Sequence, residues 1–145
     1  MHELSIAESI VRYSLSEADK NGASRVTEMQ VDVGELMQVE VDVLSEVLNR
    51  LMTGPRLGGA RVKVRVKGAS FSCRRCGGRW GMGEARRQLS GVPRSLLVRE
   101  PDSKEVPLHF FPHLYPAFVH CPECGSSDVS VTDGQDVLLT RLVLD

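Results

Sequence analysis

The sequence has almost no net charge, −1 over 145 residues, which removes the long-range attraction that draws a protein to nucleic acid or to an anionic membrane. It has no apolar run of membrane-spanning length. Its opening residues, MHELSIAESIV, form neither a cationic leader nor an uninterrupted apolar stretch, so a cytoplasmic location is expected. No glycine-rich phosphate loop is visible and no nucleophile stands in a pattern with a base, so the expectation is a protein that is not an enzyme. Cysteine is scarce, with four residues in two close pairs, and in a reducing compartment such pairs read as metal ligands before disulfides.

What charge there is lies unevenly. Residues 1–50 hold ten Asp or Glu against four Lys or Arg, whereas residues 61–83 hold seven Lys or Arg and no carboxylate. The acidic third suits either a solubilising surface or a docking face for a basic partner. The basic stretch reads as the solvated face of a strand.

Apolar periodicity orders the chain. Leu4, Ala7, Val11, Leu15 and Ala18 predict an amphipathic helix that Asn21-Gly22 ends. Met29, Val31 and Val33 alternate with polar residues as a half-buried strand. Val41, Leu44, Val47, Leu48 and Leu51 predict a second helix, stopped at Thr53-Gly54-Pro55. Val62, Val64 and Val66 alternate with four basic residues as a second strand, expected to run on through Phe71 into Cys73. Five of the seven prolines fall between residues 81 and 119, where little regular structure is expected beyond a helical piece around Glu84 to Leu89. Residues 128–132, Asp133-Gly134 and Val137–Leu144 read as strand, tight turn, strand. The last strand, VLLTRLVL, is apolar enough to return to the first sheet.

The expected fold is α+β: two helices on a small mixed three-stranded sheet, plus a zinc-ribbon-like β module with two CxxC knuckles. The expected domains are an α+β domain over 1–69 and 135–145, and a zinc-binding domain over 70–134 that includes an insertion, 81–119.

CRRCG and CPECG each place two thiolates on one tight turn, so Cys73, Cys76, Cys121 and Cys124 supply the closed tetrahedral shell of structural zinc. Gly77 and Gly125 follow each pair where a knuckle needs positive φ. The rival readings are buried free thiols and a redox CxxC; a redox pair belongs at a helix start, and here both pairs precede glycine. Four thiolates leave no open coordination position for zinc catalysis.

The MHELSIAESIV start, VGEL at 33–36 and the paired knuckles, in that order over essentially the whole chain, resemble the HypA family of hydrogenase nickel-incorporation proteins. The long gap between knuckles resembles the archaeal-type members. The resemblance implies a nickel-binding domain, a zinc-binding domain, and delivery of Ni(II) to the large subunit of a [NiFe] hydrogenase with the GTPase HypB; related proteins serve urease in some lineages. It implies nickel residues Met1 and His2, with Glu3 beside them. An unprotonated terminal amine, backbone amides and the His2 imidazole provide the planar nitrogen field that suits Ni(II). The insertion offers His109, His113 and His120 as further ligands, with His109, in LHFFP, ranked first. Structural zinc and transported nickel are thus the expected metals. The chain is expected as a monomer or a weak or domain-swapped dimer, without nucleic-acid or membrane partners. The alternative is a zinc-ribbon nucleic-acid-binding or adaptor module, motivated by the basic residues around the first knuckle.

Overall fold

The computed structural model describes residues 3–37, 39–89, 98–100, 103–105 and 119–145. It divides into two compact units, one of residues 1–33, 39–66 and 137–145, the other of 34–38 and 67–136.

The first unit carries the two long helices, α1 (Glu3–Lys20) and α2 (Val41–Leu51), and a three-stranded sheet of β1 (Val26–Gly34), β2 (Arg61–Lys67) and β8 (Val137–Leu144) in the order β2-β1-β8. The buried face of α1 is Ile6, Ala7, Ile10, Ser14 and Ala18. This corrects the expected stripe by a rotation, for Leu4 is exposed and Val11 and Leu15 are only half-buried. Ala7, Ser14 and Ala18 present little beyond Cβ, which lets the helix axis come close to its neighbours. Ser14 satisfies its buried hydroxyl on the Ile10 carbonyl at 2.8 Å. On α2, Leu44 and Leu48 are fully buried, as the periodicity predicts.

β1 is the central strand. Met29, Val31 and Val33 on one of its faces are completely buried. Its other face buries Asp32, which holds Arg65 of β2 through two hydrogen bonds, one of 3.0 Å. That pairing raises the guanidinium pKa, first through the hydrogen bond and then through the carboxylate's charge. β8 joins β1 antiparallel, as its apolar sequence led one to expect.

The second unit has a three-stranded sheet of β3 (Ser70–Cys73), β4 (Arg79–Gly81) and β7 (Val129–Asp133) in the order β4-β3-β7, both pairings antiparallel. A short helix, α3 (Met82–Leu89), follows β4. Two three-residue strands, β5 (Val98–Glu100) and β6 (Ser103–Glu105), pair antiparallel inside the segment expected to lack regular structure. Two further corrections concern continuity. The strand expected to run unbroken from Arg61 to Cys73 stops at Gly68-Ala69 and changes sheets. β7 and β8 do not form a hairpin, since β7 pairs with β3 and β8 with β1. Gly134, at φ +92°, makes the turn between them, where a side chain would overlap the Ala69 backbone.

The core of the second unit is Leu36, Ala69, Phe71, Cys73, Trp80, Ala85, Val119, Cys121 and Val129. Phe71 stacks on Trp80 with ring centroids 6.0 Å apart. Among the described residues this core has nine members, two of them cysteines, so a metal bound there would cross-link the core itself. Phe110, Phe111, Tyr115 and Phe118 of the insertion lie outside the described residues.

Candidate metal centre

Both knuckles are built alike. In the first, the Gly77 N–H donates to the Cys73 carbonyl at 2.9 Å and the Cys73 N–H to the Gly78 carbonyl at 2.8 Å. In the second, the Gly125 N–H donates to the Cys121 carbonyl at 3.0 Å and the Cys121 N–H to the Ser126 carbonyl at 2.9 Å. Gly77 (φ +76°) and Gly125 (φ +75°) take the left-handed conformation expected of them. β3 ends on the first knuckle and β7 begins just after the second, so the β3–β7 pairing, Cys73 against Val129, brings the two turns together.

The result is a cluster in which all four Sγ atoms lie within 4.8 Å of one another, Cys73 to Cys124 at 3.6 Å and Cys76 to Cys121 at 3.4 Å. A tetrahedral zinc site with bonds of about 2.3 Å requires sulfurs about 3.8 Å apart. The donor set and its spacing therefore fit zinc with little rearrangement. Cys73 and Cys121 are buried in the core, Cys76 and Cys124 exposed. Backbone N–H groups already point at sulfur: Cys76 to Cys73 Sγ at 3.4 Å, Gly78 to Cys76 Sγ at 3.4 Å, and Glu123 and Cys124 to Cys121 Sγ at 3.4 and 3.5 Å.

The thiols divide into two kinds. The Cys76 N–H is the main influence on Cys73, holding its pKa down to about 7 against burial. The Cys124 N–H likewise lowers the pKa of Cys121 against burial. Cys76 is lowered by the Gly78 N–H, but its contact with the Cys121 sulfur, burial and the other two sulfurs outweigh this and push it up to about 12. Cys124 also ends raised: the Ser126 N–H lowers it, and burial and Cys73 overcome that. Two sulfurs ionise readily and two resist, because four thiolates at this spacing repel one another. A divalent cation removes that repulsion, and with four thiolate donors it is held structurally.

Of the remaining expected site residues, Glu3 and His120 fall among the described residues, and Met1, His2, His109 and His113 lie outside them. Glu3 opens α1, and its Oε1 accepts the Glu40 N–H at 3.0 Å, where α2 begins without a side-chain cap of its own. His120 sits one residue before Cys121, exposed, with both backbone groups held by the Gln88 side chain at 2.6 and 3.1 Å. Neither Glu40 nor Gln88 was singled out from sequence. A polar residue just before an amphipathic helix was the available sign for the first, and nothing marked the second.

The family model described as "Hydrogenase/urease nickel incorporation, metallochaperone, hypA" matches residues 1–144. The chain is 33% identical over 145 residues to the hydrogenase maturation factor HypA of Pyrococcus horikoshii and 34% identical to that of Pyrococcus furiosus, covering 100% of this chain and 96% of each relative. The HypA of Ignicoccus hospitalis is 28% identical over 142 residues, covering 96% of this chain and 93% of its own. Among solved structures, the solution structure of the Ni metallochaperone HypA from Helicobacter pylori shares the fold at a TM-score of 0.58 and 16% identity, covering 99% of this chain and 97% of that one. Full-length agreement with the family model and with relatives above 30% identity places the knuckles and the two-helix unit in one framework: the chain belongs to the HypA family of hydrogenase/urease nickel-incorporation metallochaperones.

Proposed function

We propose that this metallochaperone binds Ni(II) through the terminal amine, the backbone amides and the imidazole at Met1-His2, and passes it by ligand exchange to the large subunit of a [NiFe] hydrogenase. HypB is the partner that supplies GTP hydrolysis, and the exchange takes place in the cytoplasm. The first unit holds nickel; the second holds zinc through Cys73, Cys76, Cys121 and Cys124. Zinc there supplies a tetrahedral cross-link between β3 and β7.

The observation that carries the nickel reading is the hydrogen bond from the Glu40 N–H to Glu3. It ties the first residue of α1 to the entrance of α2. Ordering the scaffold next to a set of donors lowers the entropy cost of closing them around an ion. His109 is the first candidate for an additional ligand from the insertion, before His113 and His120.

Calorimetric nickel titration of the untagged chain tests the assignment, with total zinc measured on the same samples. His2→Ala is expected to abolish tight nickel binding and leave one zinc per chain. Undiminished nickel affinity in that variant would remove Met1-His2 as the site.

A further inference from the structure

The two knuckles are alike inside but are entered differently. Ser72, which leads into Cys73, lies on β3 and pairs with Arg79 of β4 on one side and with Ser130 of β7 on the other. His120, which leads into Cys121, lies in no strand. A residue without a ladder must satisfy its N–H and its C=O from elsewhere. Both go to one side chain: Gln88 Nε2 donates to the His120 carbonyl at 2.6 Å, and Gln88 Oε1 accepts the His120 N–H at 3.1 Å.

In an antiparallel ladder a hydrogen-bonded pair exchanges two bonds between the same two residues. The Gln88 carboxamide closes the same two-bond ring from a helix. Asn and Gln alone carry a donor and an acceptor side by side on one neutral group, and asparagine here would be a methylene short. The helix is placed for the task. Ala85, three residues before Gln88 and so on the same face of α3, is fully buried in the core that also holds Val119 and Cys121. Three consecutive residues are thereby gripped in three ways: Val119 in the core, His120 through its backbone, and Cys121 in the sulfur cluster.

We propose that Gln88 is a positioning residue of the metal centre, standing in for the strand that the second knuckle lacks and setting the entry of Cys121 into the cluster. This rests on the reading of the four cysteines as the zinc ligands. Inside the knuckle Cys121 is fixed by its bonds to Ser126 and Gly125, but these turn with the knuckle as one piece. The bonds from Gln88 to His120 tie that piece to α3, so they hold the Cys121 sulfur at 3.4 Å from Cys76 of the first knuckle. Groups that orient a metal's ligands from outside the coordination shell govern affinity by about ten- to a hundredfold.

Competition titration of zinc against a chromophoric chelator, on the untagged full chain, tests this. Gln88→Met keeps the length and helix preference of the side chain and removes both bonds; it is expected to weaken zinc binding by about tenfold or more. Gln88→Glu, which keeps an acceptor but turns the donor into a charge facing the His120 carbonyl, is expected to lose as much. His120→Ala keeps both backbone groups and is expected to bind as the wild type does.

Amide exchange in the zinc-loaded protein separates positioning from general stability. In Gln88→Met the Cys121 and Gly125 N–H groups are expected to exchange faster, while those of Cys73 and Gly77 keep their protection. Cys121→Ser, measured alongside, checks the ligands themselves: undiminished zinc binding in that variant would remove the cysteine reading. If zinc is lost there while Gln88→Met binds as tightly as the wild type, or loosens both knuckles equally, the assignment of Gln88 is overturned and the cysteine reading stands.

Discussion

Glu35 and Arg86 form an ion pair 2.6 Å long between the VGEL segment and α3, and the same carboxylate accepts the Ala69 N–H at 2.9 Å through its other oxygen. Neighbouring Leu36 is buried in the core that contains Cys73 and Cys121. Residues 34–38, the end of β1 and the segment after it, therefore belong to the second unit, tied there by one carboxylate and one leucine.

Replacing Glu35 with Ala leaves the N–H of Ala69, a residue 4% exposed, without its acceptor. Loss of a buried donor's partner costs about 1–3 kcal/mol. Glu35→Ala is expected to lower the melting temperature and speed amide exchange at Ala69, whereas Arg86→Ala, removing an exposed partner, changes the melting temperature little. Equal effects from the two variants would show that the ion pair, and not the satisfied N–H, matters.

The same segment shows where legibility in the sequence ends. Gly34-Glu35-Leu36 reads as the end of a strand, and nothing in its periodicity says that Leu36 packs in a different unit from Val33. The cysteine pairs were legible because ligand geometry is local: two residues, one turn, one glycine. The strand pairings of β7 and β8 were only half legible. Apolar content pointed β8 to the first sheet, but a turn at Asp133-Gly134 looks the same whether its strands pair together or part. In α1 the expected stripe kept Ala7 and Ala18 but exchanged Leu4, Val11 and Leu15 for Ile6, Ile10 and Ser14, because a buried serine carries no hydrophobic weight while setting how closely the helix packs.

Glycine substitutions are expected to separate space from backbone strain. At Gly77 (φ +76°) a Cβ meets nothing within 4 Å, so Gly77→Ala bears only the left-handed penalty of about 1–2 kcal/mol. At Gly134 (φ +92°) a Cβ would lie 2.9 Å from the Ala69 nitrogen, besides closer contacts with backbone that cannot move aside. Gly134→Ala should therefore be the more destabilising in thermal denaturation of the zinc-loaded protein, and should reduce soluble yield. A Gly134→Ala protein as stable as Gly77→Ala would contradict the close approach of the two segments.

Zinc binding should release protons, chiefly from Cys76 and Cys124, whose pKa values are raised in the metal-free cluster, the first to about 12. Cys73, held near 7, is already partly ionised at neutral pH. About two to three protons per zinc are expected near pH 7, read from calorimetry in buffers of different ionisation enthalpy. The signs for the metal-free protein are opposed. The depressed Cys73 pKa contributes stability that is complete above the unfolded thiol pKa of 9.0 and is lost as pH falls through about 7. The raised Cys76 pKa contributes stability below 9.0 that is lost as pH rises through about 12. Zinc affinity falls on acidification throughout this range, and a pH-independent affinity between 5 and 8 would exclude thiolate ligation.

Glu3 separates two roles for one carboxylate: ligand to nickel, or acceptor for the Glu40 N–H. Glutamine keeps a side-chain oxygen that can accept the bond at Oε1 but gives up the anionic charge that would favour direct coordination of a cation. If Glu3 acts by fixing the entrance of α1, Glu3→Gln should retain nearly wild-type nickel affinity in titration of the untagged protein. Glu3→Ala should lose about five- to tenfold, the equivalent of one net hydrogen bond. The helix signal in the far ultraviolet should also fall slightly in Glu3→Ala, because α1 loses the contact that pins its first turn. The reverse pattern, with Gln as damaging as Ala and helix content unchanged in both, would make the carboxylate a ligand. In that case Glu3 would serve two partners as Glu35 does, Oε1 keeping the Glu40 N–H and Oε2 facing the ion.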